Sequence, residues 1–265
     1  MHTVTQIMGI LNVTPDSFSD GGHFVNPEQA YSHARFLAEN GADIVDIGAE
    51  STRPGSKPVD ETEEWSRLKP VLELLKRRPL NARISIDTQK PEIMKKSVQY
   101  GVDVINDVSG GADDSTLKFL ASENVTYICM HKYGDTASMQ KNPLQARQAL
   151  DAMESFYEKT YDRLLSMGFT KELIWLDPGI GFGKTDAANI QLLDQACDFC
   201  DRYNIVLGIS RKSFIGRVLD IENATDRDTP SKMLELGLMF SGARAIRTHE
   251  VKALHKLKSL LYSDD

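Results

Sequence analysis

Gln6-Ile-Met-Gly-Ile-Leu-Asn12, running directly into Val13-Thr-Pro-Asp-Ser-Phe-Ser-Asp-Gly-Gly22, is the stretch on which the fold turns. A short, continuous apolar run opening into a polar, glycine-rich segment reads as a strand buried on both faces, with a loop at its C-terminal end. The pattern recurs at Asp43–Ile47, Arg83–Asp87, Val102–Asn106, Thr126–His131, Ile174–Asp177, Ile205–Ser210 and Ala245–Thr248, each run rich in Ile, Val or Leu. Amphipathic stretches lie between the runs. Eight strand–helix units in 265 residues are about 33 residues each, the size of a βαβ repeat. Eight parallel units close naturally into a barrel, whose active site lies on the loops after the strands. The expected fold is therefore α/β: a single (β/α)8 TIM barrel spanning residues 1–265 as one domain. An open doubly wound sheet is the competing architecture, and polar motifs after nearly all eight strands favour the barrel.

The helical patterns are uneven in clarity. Ala30, Ala34, Leu37, Ala38 and Gly41 share one face, as do Ala149, Met153, Phe156, Thr160, Leu164 and Met167. Ile190, Leu193, Cys197 and Cys200 form another stripe, and Val251, Leu254, Leu257 and Leu261 a last one. Trp65, Leu68, Leu72 and Leu75 enclose Pro70, which should kink that helix or mark its start.

Composition narrows the function classes. Hydrophobic residues make up 41% and charged residues 26%, enough apolar material for a real core. The net charge of −7 argues against a nucleic-acid partner. Met1-His2-Thr3 leads straight into the first apolar run, with no signal-peptide pattern, and no stretch approaches the roughly 18 apolar residues of a membrane span. Three cysteines make no disulfide framework. A cytoplasmic protein without membrane contact is expected.

The strand ends carry the chemistry. They read Gly48-Ala-Glu-Ser-Thr-Arg-Pro-Gly55, Asp87-Thr88, Asn106-Asp107, Met130-His131, Asp177-Pro-Gly-Ile-Gly-Phe-Gly-Lys-Thr185, Ser210-Arg-Lys-Ser213 and Arg247-Thr-His-Glu250. A lone Asp-Thr or Asn-Asp reads equally well as a helix cap. Capping does not account for Asp, Asn, Asp, Lys and Arg at five strand ends, where buried charges need partners or a ligand. Two short motifs fail. Gly183-Lys-Thr185 ends like a phosphate loop, but Pro178 stands where that pattern requires glycine. Cys197-Asp-Phe-Cys200 falls on the apolar stripe and reads as buried structural cysteines.

Arg53, Arg247, His249 and Asn12 are donors suited to phosphate oxygens, and the Asn12 carbonyl can also reach Mg²⁺. Asp87, Asn106 and Asp177 offer acceptors and donors for an aminopyrimidinone edge, and Lys212 can reach a ring carbonyl or nitrogen. The residues alone thus point to a heteroaromatic, diphosphate-bearing substrate with Mg²⁺.

These motifs, in order and spanning about residues 6 to 260, resemble the dihydropteroate synthase family of pterin-binding TIM barrels. The resemblance implies a transferase of folate biosynthesis that joins 6-hydroxymethyl-7,8-dihydropterin diphosphate to 4-aminobenzoate. It implies a pterin slot of Asp87, Asn106, Met130, Asp177, Lys212 and Arg247, and a diphosphate clamp of Asn12, Arg53, Arg247 and His249, with Mg²⁺ at Asn12. Phe18, Thr52, Pro54, Phe182, Lys212 and Ser213 would take 4-aminobenzoate or a sulfonamide. Lys212, Arg247 and Asp20 would be catalytic, Asp20 closing over the site. A homodimer through the last helices is implied, with Leu234, Leu238, Leu254 and Leu261 as apolar surface candidates. The rival readings are a pterin-binding methyltransferase of the methyltetrahydrofolate type, and a catalytically silent pterin-binding or scaffold protein. Neither has use for the Arg53 and His249 diphosphate set.

Overall fold

The alternation of apolar runs and amphipathic stretches becomes a single sheet of eight parallel strands in the computed structural model, which describes residues 4–14, 26–51, 58–134, 139 and 141–261. The strands are β1 (Gln6–Asn12), β2 (Ile44–Gly48), β3 (Arg83–Thr88), β4 (Val104–Asp107), β5 (Thr126–Met130), β6 (Ile174–Asp177), β7 (Val206–Gly208) and β8 (Ala245–Thr248). Their order is β6-β5-β4-β3-β2-β1-β8-β7. The ends of that ladder meet through a bridge between Leu176 and Ile205, with the Leu176 N–H donating to the Asn204 carbonyl at 2.9 Å, so the sheet closes on itself. The helices are α1 (Pro27–Glu39), α2 (Glu61–Arg77), α3 (Pro91–Val98), α4 (Asp114–Ser122), α5 (Ala146–Ser166), α6 (Asp186–Asp194), α7 (Ala196–Cys200), α8 (Ser213–Leu219), α9 (Asp228–Phe240) and α10 (Val251–Leu261).

Strand periodicity decides what fills the barrel. Met8, Ile44, Val104, Ile128, Trp175, Val206 and Ala245 form a buried cluster of their own, one residue from each of seven strands. Side chains two residues further along a strand face the same way. From Ile44, Val104, Trp175 and Ala245 that step leads to Asp46, Asn106, Asp177 and Arg247. An apolar floor therefore carries a polar layer, and the layer faces the C-terminal ends of the strands. The larger core lies between strands and helices and includes Ile7, Leu11, Ile47, Ile86, Ile105, Leu176 and Ile246.

Three helical expectations change. Helix α2 runs unbroken through Pro70 and is capped by Asp60, whose side chain accepts from the Glu63 N–H at 2.8 Å. The stripe from Ile190 to Cys200 does not exist as one face, because Gln195 separates α6 from α7. The buried residues are Ala188, Asn189, Leu192, Ala196 and Phe199, while Ile190 and Cys197 are exposed and Cys200 is half-buried. Both cysteines are free; Cys197 is exposed and not a core residue, whereas Cys200 packs half-buried against the core. In the last helices Leu238 and Leu254 are buried rather than surface residues; Leu234 is exposed, and the side chain of Leu261 lies outside the described residues. Among the described residues no helix is long and apolar enough to cross a membrane.

Full burial of Leu254 under the β1 side of the barrel makes a specific demand on stability. Leu254→Ala should lower the unfolding free energy by about 2–5 kcal/mol, the usual cost of emptying a core leucine site. Urea denaturation measures it, and a change within about 0.5 kcal/mol, typical of a surface position, would contradict this packing.

Candidate active site

Five strands bring their polar residues to one place. Arg247 of β8 reaches across the barrel mouth, its Nε donating to Asp46 Oδ2 at 2.6 Å and its Nη2 to Asp87 Oδ2 at 2.8 Å. Asp46 is fully buried on β2 and fully engaged, since its Oδ1 accepts from Ser85 Oγ at 2.6 Å and its Oδ2 also from Asn106 Nδ2 at 3.3 Å. Asp87 differs. Its Oδ1 is buried and has no hydrogen-bond partner among the described residues, a costly state for a carboxylate oxygen unless a donor arrives. Gly48 and Gly208 lie beside these groups, where a Cβ would stand in ordinary contact with Asp87 or Arg247.

Burial sets the electrostatics. It pushes the Asp87 carboxyl up to about 7 against the pull of the Arg247 guanidinium, with Asp46 adding to the rise. Burial also raises Asp177, opposed by Lys212 and by the Gly179 N–H, which donates to its Oδ1 at 2.7 Å. Lys212 is brought down to about 8 by the same desolvation, opposed by Asp177. For Arg247, desolvation lowers the guanidinium, but Asp46 and Asp87 outweigh it and hold the group above its ordinary value.

The other site candidates surround this centre. Asn12 ends β1, exposed at the mouth. Met130 is buried at the end of β5. Lys212 donates to the Ile180 carbonyl, and its ammonium stands 4.7 Å from the centre of the Phe182 ring. Ser213 is exposed as the first residue of α8. His249 follows β8, with its backbone N–H 3.2 Å and its Nδ1 2.9 Å from Ser210 Oγ. Asp20, Phe18, Thr52, Arg53 and Pro54 lie outside the described residues. The flanks of residues 52–57 are nonetheless tied down. Lys90 pairs with Glu64 and, at 2.6 Å, with Glu50; Glu64 accepts from Thr88 Oγ1 at 2.6 Å; the Val59 N–H donates to Glu50 at 3.1 Å.

Four residues received no site role from the sequence. Asp46, Ser85, Lys184 and Ser210 all touch the groups above. Asp46 did leave a signal: an acid in the middle of Ile44-Val-Asp-Ile-Gly48, a strand buried on both faces, must have a partner. Ser85 left none, because a serine in a strand is ordinary; Ser210 lies in the turn after β7 and stood in a strand-end motif without a role.

A polar layer with one half-satisfied carboxylate, an arginine plane and a lysine over an aromatic ring suits a flat, donor-rich heterocycle. Comparison with known proteins gives the same chemistry a lineage. The family described as pterin binding enzyme matches residues 8–249. The dihydropteroate synthase of Haemophilus influenzae is 40% identical over 253 residues, 95% of this chain and 90% of its own. The chain belongs to the dihydropteroate synthases. It is accordingly a transferase of that family. Among solved structures, the dihydropteroate synthase of Xanthomonas albilineans with 4-aminobenzoic acid superposes with a TM-score of 0.89 at 36% identity, covering 98% of this chain and 92% of that one. That of Anaplasma phagocytophilum with bound 6-hydroxymethylpterin-monophosphate gives 0.86 at 33%, covering 98% and 100%. The barrel expected from the sequence is the family's barrel.

The central ion pairs make a testable demand. Asp46→Ala leaves Arg247 with Asp87 alone and removes the acceptor of Asn106 and Ser85, and should cost about 3–5 kcal/mol, as for one partner lost from a buried pair. Ser85→Ala removes one hydrogen bond and should cost about 1 kcal/mol. Equal losses in denaturant melts would show that Asp46 is not the anchor.

Proposed function

We propose that the protein condenses 6-hydroxymethyl-7,8-dihydropterin diphosphate with 4-aminobenzoate, giving 7,8-dihydropteroate and diphosphate in folate biosynthesis. The observation that carries this reading at the level of residues is the unpartnered Asp87 Oδ1, buried beside Asn106, Asp177 and Arg247. A pterin edge offers the adjacent N–H donors that such a carboxylate lacks. In this reading Asp87 and Asn106 hold the pyrimidine edge, Asp177 and Lys212 the other polar atoms of the ring, and Met130 closes the slot. Arg247 lies along the ring face while staying on Asp46.

The diphosphate belongs with Asn12, Arg53, Arg247 and His249. Cations and donors fixed in place before reaction stabilise the charge that develops on a leaving diphosphate. The C–O bond breaks with its electron pair leaving on the diphosphate, and the electron-rich ring carries the resulting cation. The arylamine nitrogen then forms the C–N bond and loses a proton. Phe182, Lys212 and Ser213, with Phe18, Thr52 and Pro54, hold the 4-aminobenzoate, and a sulfonamide would compete for that place. Asp20 acts from the first loop, which excludes water from the cation.

Mg²⁺ fits the donor set as a substrate-borne ion. Asn12 is exposed at the mouth, and no group of three His, Cys, Asp or Glu among the described residues forms a cage; Mg²⁺ commonly keeps few protein ligands and bridges phosphates. When bound, it would neutralise charge on the departing diphosphate, with the Asn12 carbonyl as its protein ligand. The support for homodimerisation is exposed apolar side chains in the last helices, Met233, Leu234 and Phe240 of α9 and Leu260 of α10. Free cysteines throughout favour a cytoplasmic setting.

Purified protein given the dihydropterin diphosphate and labelled 4-aminobenzoate should form labelled dihydropteroate and release diphosphate, with Mg²⁺ required. Arg247→Ala should lower turnover at least a hundredfold, on the scale of losing a preorganised charge-stabilising group. No diphosphate release from the parent protein would refute the assignment.

A further inference from the structure

Lys184 is 1% exposed, an unusual place for a lysine, and among the described residues it forms no ion pair with a carboxylate. Its ammonium instead lies 3.0 Å from the Gly179 carbonyl, 3.1 Å from the Phe182 carbonyl and 3.0 Å from His131 Nδ1. Three acceptors match the three N–H donors of an ammonium. The match requires a neutral His131 with its proton on Nε2, and burial, assisted by the Lys184 charge, pushes that imidazole down to about 3.

The two carbonyls are the ends of one turn, in which the Phe182 N–H donates to the Gly179 carbonyl at 3.0 Å. The turn is tightly wedged. A Cβ on Gly179, at φ +61°, would fall 1.9 Å from the His131 carbonyl oxygen, and one on Gly183, at φ +67°, 2.1 Å from that of Tyr133. Between the ends of the turn lies Ile180, whose carbonyl accepts from Lys212, and its last residue, Phe182, carries the ring beside the Lys212 ammonium. The lysine that makes Gly183-Lys-Thr185 look like a phosphate loop is thus turned under the loop.

We propose that Lys184 is a positioning residue: by bridging Gly179, Phe182 and His131 it fixes the turn that aims Lys212, and so governs the reaction from beneath the substrate pocket. The inference rests on the reading of Lys212 as a substrate-binding group. A lysine that merely satisfied the core would stabilise the fold without any coupling to Lys212.

The test is a double-mutant cycle. Lys184→Met keeps an unbranched chain one atom shorter and removes every side-chain donor. It should lower kcat/KM on the order of tenfold in the native background, as expected when a reacting group is slightly misplaced, and less than about twofold in a Lys212→Ala background, since coupled residues are non-additive. Equal losses in both backgrounds overturn the proposal. A second readout needs no turnover: acetic anhydride labelling of Lys212, followed by peptide mass spectrometry across pH. The apparent pKa of Lys212 should rise in Lys184→Met, because a neighbouring cation is lost and the turn that holds Lys212 is released; an unchanged value overturns the proposal. Should Lys184→Met fail to fold, His131→Leu and His131→Asn give the same comparison. Leu removes the acceptor and should raise the Lys212 value, while Asn keeps an acceptor near Nδ1 and should hold it. Identical Lys212 values in that pair count against the proposal. A parent protein without activity would refute the proposed reaction alone, leaving the labelling result to judge Lys184.

Discussion

Arg247 bridges two buried carboxylates in the barrel mouth, and the arrangement of the site follows from that contact. Its guanidinium takes up one oxygen of Asp46 and one of Asp87. Two carboxylates and one cation leave an excess of acceptors in a place where desolvation is costly. Asp46 resolves its share through Ser85 and Asn106. Asp87 does not, and is left with an open oxygen and a pKa pushed up to about 7. Lys212, brought down to about 8, and Lys184, brought down to about 7, approach neutrality from the other side, burial again the main cause. A site whose acids and bases are both drawn toward neutral pH is prepared to exchange hydrogen bonds with a ligand at little electrostatic cost.

The apolar floor makes this possible. Trp175 and the aliphatic residues around it fill the barrel below the charged layer. On β2, β4, β6 and β8 the work divides by period: one inward side chain packs, and the next inward one belongs to the polar layer. Backbone precision at the strand-six loop extends the same design outward, since glycines with positive φ let the chain pass close to His131 and Tyr133, and a buried lysine holds the turn beneath.

Much of this was legible in the sequence. Eight Ile-, Val- and Leu-rich runs gave the barrel, and β1, β6 and β8 keep the bounds their patterns imply. Strand seven is shorter than its apolar run, because Ile209–Lys212 turns back on itself and Arg211 adopts φ 59°. Strand-end polarity located Asp87, Asn106, Asp177, Lys212 and Arg247 correctly in one mouth. Asp46 left a local signal, an acid inside a buried strand, but its partner Arg247 lies 201 residues away in the chain, a distance no local pattern spans. The stripe through Cys197 and Cys200 failed for a local reason: the break at Gln195 rotates the second helix, so spacing counted across it is meaningless.

The central claim is that Asp87 exchanges Arg247 for the ligand. A crystal structure with bound 6-hydroxymethylpterin measures this directly. The account predicts both Asp87 oxygens on the N–H groups of the pterin edge, with Arg247 retained by Asp46 and lying along the ring. A pterin bound elsewhere, or bound in the mouth with the Arg247–Asp87 contact intact and Asp87 Oδ1 still unpartnered, would contradict it.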